Sequence, residues 1–94
     1  MALYLISYDI KSYDKDEYPN LWAKLEELGA TKILFSEWVI VRNVGQSTAI
    51  YDAIAPCVIA SDRLLVQELT KDATWDKLLI TDDDFRDLLG NARG

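Results

Sequence analysis

Ninety-four residues make one compact domain, and a chain of that size buries roughly 60–65% of the surface its unfolded form exposes. Sixteen acidic against ten basic residues leave a net charge of −6, which argues against a protein that coats DNA or RNA unaided, because such binding draws on cations that displace counterions. Histidine is absent and Cys57 is the single cysteine, so Ser-His, Cys-His and zinc-histidine chemistry and an internal disulfide are all excluded. The half-apolar composition is that of a folded chain. With no charged leader followed by an apolar block, and no apolar run near the ~18 residues a bilayer span needs, a soluble cytoplasmic protein is expected.

The first predicted element is a strand over Leu3 to Asp9. Leu3, Leu5 and Ser7 alternate with Tyr4, Ile6 and Tyr8, so both faces are apolar, as in a central strand covered on both sides. It stops on Asp9, and a polar loop is expected from Ile10 to Glu17. An aspartate of that loop or Asn20 can cap the helix that follows, with Pro19 tolerated in its first turn.

Tyr18, Leu21, Trp22, Leu25 and Leu28 then recur at helical spacing, with Lys24, Glu26 and Glu27 opposite and Gly29 as a left-handed stop. Thr31 to Asn43 is β-rich and apolar on both parities: one long bent strand, or two strands folded at Ser36 and Glu37. Local chemistry leaves both open, since no Asn-Gly type turn is present. A turn with Gly45 leads to a second amphipathic helix, capped by Ser47 or Thr48 and carrying Ile50, Ala53, Ile54, Cys57 and Val58 on one stripe. Pro56 should end or kink it near Ala55. Cys57 reads as a small hydrophobe rather than a nucleophile.

Asp62 opens another strand, "DRLLVQELT". Beyond it, Thr81 followed by three aspartates is a helix start, the hydroxyl capping and the carboxylates meeting the positive end of the dipole. Capping accounts for those residues without a metal cluster. Phe85, Leu88 and Leu89 form the apolar stripe and Gly90 the expected stop.

The order of elements predicts an α+β fold: a ferredoxin-like β-α-β-β-α-β sandwich with an appended C-terminal helix, one domain over residues 1–94 with a core of about 2–69 and an extension of about 70–94. Both long helices then cover one sheet face. An uncovered second face carrying Tyr, Trp, Ile and Val is more apolar surface than a small monomer tolerates, so a homodimer packed sheet to sheet is expected, aided by Trp75, Leu78 and Leu79.

Four features in order, "YLISYDI" ending on Tyr8-Asp9, a helix closed by "LGA", Ser36-x-Trp38 within a β-rich run, and "DRLLVQEL", resemble the small ferredoxin-like CRISPR-associated subunit of spacer acquisition, often described as an endoribonuclease. The VapD toxins share that layout. The whole chain, including "TKDATWDKLLITDDDFRDLL", is similar to short bacterial proteins labelled SinR-family, whose helix-turn-helix namesake is unrelated.

The resemblance implies that Asp9 is a catalytic carboxylate and metal ligand, paired with its counterpart across a dimer axis, and that Ser36 is the matching polar residue of the second motif. The implied cofactor is Mg2+, which takes carboxylate and water oxygens and leaves positions for phosphate and an activated water. Arg42, Lys32 and Arg63 are scattered among acids, a departure from the basic grip such subunits offer nucleic acid. Two functions follow: a homodimeric magnesium-dependent nuclease or its remnant, or a catalytically silent dimeric module that docks a larger protein. For Asp9 the alternative role is a strand-end residue that binds locally, for Ser36 a polar residue at a bend, and for Trp38 a core contact rather than a base-stacking platform.

Overall fold

The computed structural model describes residues 1–9, 17–58, 63–70 and 72–91, with the backbone alone for 17–19 and 91. They form a small α+β domain: β1 (Ala2–Asp9), α1 (Glu17–Glu27), β2 (Thr31–Leu34), β3 (Glu37–Arg42), α2 (Ser47–Ile54), β4 (Arg63–Leu69) and α3 (Asp82–Asn91). The four strands make one antiparallel sheet in the order β2-β3-β1-β4. Among the described residues no helix is long and apolar enough to cross a membrane. Residues 10–16 of the polar loop expected after β1 and the start of "DRLLVQELT" at Asp62 lie outside the described residues, while Glu17, expected in that loop, is the first residue of α1.

The helix ends follow from local chemistry. α1 begins at Glu17, so Pro19 sits in its first turn and Asn20 lies inside the helix rather than capping it. It closes with two linked bonds: the Gly29 N–H donates to the Glu26 carbonyl (3.0 Å) and the Ala30 N–H to the Leu25 carbonyl (2.9 Å). That Schellman pattern needs a left-handed residue, and Gly29 supplies it at φ 87°. α2 takes Gln46, not Ser47 or Thr48, as its N-cap and has no side-chain cap bond. A short 3-10 turn over Ala55–Cys57 then carries Pro56, as the sequence requires. In α3 the expected cap is present, the Asp84 N–H donating to the Thr81 hydroxyl at 3.1 Å. Gly90, expected as a stop, is inside that helix.

The β-rich run resolves into two strands joined by a tight turn at Phe35 and Ser36, with a register irregularity between Lys32 and Leu34. Alternation along β1 then divides the core. Tyr4, Ile6 and Tyr8 join Leu21, Leu25, Trp38, Ile40, Ile50 and Ile54 under α1 and α2. Leu3 joins Ile33, Val39 and Phe85 on the opposite face, where Trp75, Leu78, Ile80, Leu88 and Leu89 also pack. That second face was the premise of the sheet-to-sheet dimer. Part of it is covered by the chain's own C-terminal segment, which packs over Leu3, Ile33 and Val39, while Leu65 on the same face stays exposed. The segment is tied down by a bond from the Leu79 N–H to the Ile33 carbonyl (2.9 Å) and by an edge-on contact of Trp75 and Phe85, centroids 4.8 Å apart. Trp75 and Leu78 pack inward, whereas Leu79 faces out.

Two buried tyrosines hold the layers in place. The Tyr4 hydroxyl donates to the Asn43 carbonyl (2.8 Å) and accepts from the Gln46 N–H (2.9 Å), so one side chain of β1 positions the turn into α2. The Tyr8 hydroxyl accepts from the indole N–H groups of Trp22 (2.8 Å) and Trp38 (3.2 Å), joining sheet to helix α1. These contacts give two buried hydroxyls and the buried Trp38 indole the partners they need.

Candidate functional site

The residues singled out by sequence gather at one end of the sheet. β1 delivers Asp9, β4 begins there with Arg63, and the β2–β3 turn brings Phe35 and Ser36 alongside. Ser7, Tyr8, Asp9, Arg63, Leu64 and Leu65 line a shallow, open depression at this end.

Asp9 is opposite Arg63 in the β1–β4 register, and its carboxylate lies 3.6 Å from the guanidinium. The side chains of Asp9 and Arg63 are 60% and 70% exposed respectively, so the pair is solvated and weak in energy. The neighbouring guanidinium makes the Asp9 carboxylate a less favourable ligand for a divalent ion.

Ser36 holds the site by its main chain. Its carbonyl accepts the Tyr8 N–H at 3.1 Å, while the residue is exposed in the turn. The proximity of Asp9 and Ser36 therefore comes from strand pairing; among the described residues no hydrogen bond joins the two side chains. Trp38 is buried in the core beneath α1, its indole N–H taken up by Tyr8, so it is no base-stacking platform. Among the described residues no three metal-ligating side chains cluster. Two of the three aspartates at the head of α3 have side-chain partners within the chain: Asp82 accepts the Trp75 indole N–H (3.0 Å) and Asp83 pairs with Arg86 (3.3 Å).

The scattered cations have intramolecular work. Arg42 donates to the Val41 carbonyl (2.8 Å) and to the Leu28 carbonyl, which places a positive charge at the negative end of α1. Lys32 lies over the Trp22 ring, 4.1 Å from its centroid, and within 5.6 Å of that of Phe35. Phe35 itself is 85% exposed. Arg63 as the neighbour of Asp9, and Phe35 as a projecting aromatic, escaped the sequence reading. The first depends on register between strands more than fifty positions apart in sequence, and the second on a turn that local signals did not place.

Fold and site together define a small α+β domain with an ion-paired, partly aromatic sheet end. No protein-family model matches the chain, and no solved structure does.

Proposed function

We propose that this protein is a cytoplasmic ferredoxin-like interaction module, homodimeric and catalytically silent, rather than a magnesium-dependent nuclease. The finer fold reading is supported by the strand order β2-β3-β1-β4 and by the β-α-β-β-α-β succession of β1 to β4 with α1 and α2. The observation that carries the functional reading is the Asp9–Arg63 pair: the carboxylate that the resemblance makes a metal ligand already faces a cation. Arg42 and Lys32, the other candidates for gripping phosphate, also have intramolecular partners, and the chain carries a net charge of −6. Such a surface suits a protein partner better than a nucleic acid. Exposed Phe35 at the sheet end supplies an aromatic anchor of the kind that dominates protein interfaces.

The test is purified protein with magnesium or manganese, labelled RNA and duplex DNA, beside the Asp9→Asn variant. Equal background from both agrees with the module. Cleavage by the parent that disappears in D9N overturns it in favour of the nuclease.

A further inference from the structure

β4 forms one edge of the sheet, and among the described residues nothing pairs with its outer side. Which of its main-chain groups face outward can be worked out. The Tyr8 N–H points to β3, where it meets Ser36, and along an antiparallel strand successive residues turn their N–H and C=O to opposite sides. Leu3, Leu5, Ser7 and Asp9 therefore turn theirs to β4, where they meet Leu69, Gln67, Leu65 and Arg63. Leu64, Val66 and Glu68 are left with theirs directed outward, on a seven-residue strand without proline or lysine to blunt it.

We propose that this edge pairs with β4 of a second copy, antiparallel about a two-fold axis through Leu65, which deepens the homodimeric reading above by naming its interface. The register is chosen by the side chains. Centred on Leu65, the outward groups of Leu64 and Val66 bond to those of Val66 and Leu64 in the second copy. On the other face Leu65, 51% exposed, meets its own counterpart in the close, non-hydrogen-bonded position. Arg63 falls opposite Gln67 on the face that carries Leu65, a guanidinium against an amide oxygen. Centring the axis one residue later sets Leu64 against Glu68 and Leu65 against Gln67, apolar against polar on both faces. A shallow depression lined by Ser47, Thr48, Tyr51 and Val66 lies beside the edge and takes Leu64 of the second copy. The two Asp9 residues then stand about 20 Å apart, three strand spacings across and four residues along, too far to share one cation.

Sedimentation over a wide concentration range, with Leu65→Lys and with Leu65→Cys in a Cys57→Ser background, tests this. A concentration-dependent dimer is expected, weakened at least about tenfold by L65K, which sets two ammonium groups on the axis. Mild oxidation should link L65C chains to each other, and not chains carrying Leu79→Cys, a somewhat more exposed position away from the edge. A parent that stays monomeric throughout overturns the edge and the homodimeric reading together. A dimer indifferent to L65K, with L65C no faster to link than L79C, overturns the edge alone and leaves the dimer to another surface.

Discussion

The indole N–H of Trp22 on α1 meets the hydroxyl of Tyr8 on β1 at 2.8 Å, and the same oxygen accepts from Trp38 on β3 at 3.2 Å. One phenol thus joins the helical layer to two strands of the sheet. Tyr8→Phe keeps the ring but deprives the buried Trp38 N–H of its acceptor, so stability should fall by about 1.5–3 kcal/mol. Urea unfolding followed by tryptophan fluorescence measures it, and a loss under about 0.5 kcal/mol would show that the bond to Trp38 contributes little.

Phe85 anchors the C-terminal segment to the second sheet face, beside Leu3, Ile33 and Val39. Phe85→Ala should cost about 3–5 kcal/mol, with increased binding of an apolar dye as that face opens. Unchanged dye binding with full stability would mean that the segment does not shield the sheet.

Asp9→Asn removes an exposed ion pair, and its effect on unfolding should stay within about 1 kcal/mol. Isothermal titration with manganese should give the same weak heats for parent and D9N. Saturable binding that D9N abolishes would restore the metal-ligand role and count against the proposed silent module.

Gly29 ends α1 at φ 87°, and nothing lies within 4 Å of where a Cβ would stand. Gly29→Ala therefore meets no clash, and its whole effect is conformational: a loss of about 1–2 kcal/mol. A neutral result would require the Schellman turn to have relaxed, which hydrogen exchange at Gly29 and Ala30 would reveal.

Thr81→Ala should lower stability by about 1 kcal/mol through the lost cap to the Asp84 N–H. Thr81→Ser retains the hydroxyl and should recover most of it.

Much of this fold was legible because its signals are local. The stripe of Leu21, Leu25 and Leu28 with Gly29 behind it fixes a helix and its end from neighbouring residues alone, and Pro56 sets the 3-10 turn by its missing N–H. Caps were less legible where a distant contact set the helix start: the Gln46 N–H is held by Tyr4, forty-two positions away, and Gln46 rather than Ser47 stands at the head of α2.

Pattern along the chain determined that β1 has two apolar faces, that helices flank the strands, and that a helix begins after Thr81, since each depends on periodicity or on groups within one turn. Only the tertiary structure decided what covers the second face and what stands beside Asp9. Sequence periodicity reports that a face must be hidden but not by which part of the chain, and the Asp9–Arg63 contact exists only once β4 has been laid against β1 in one register.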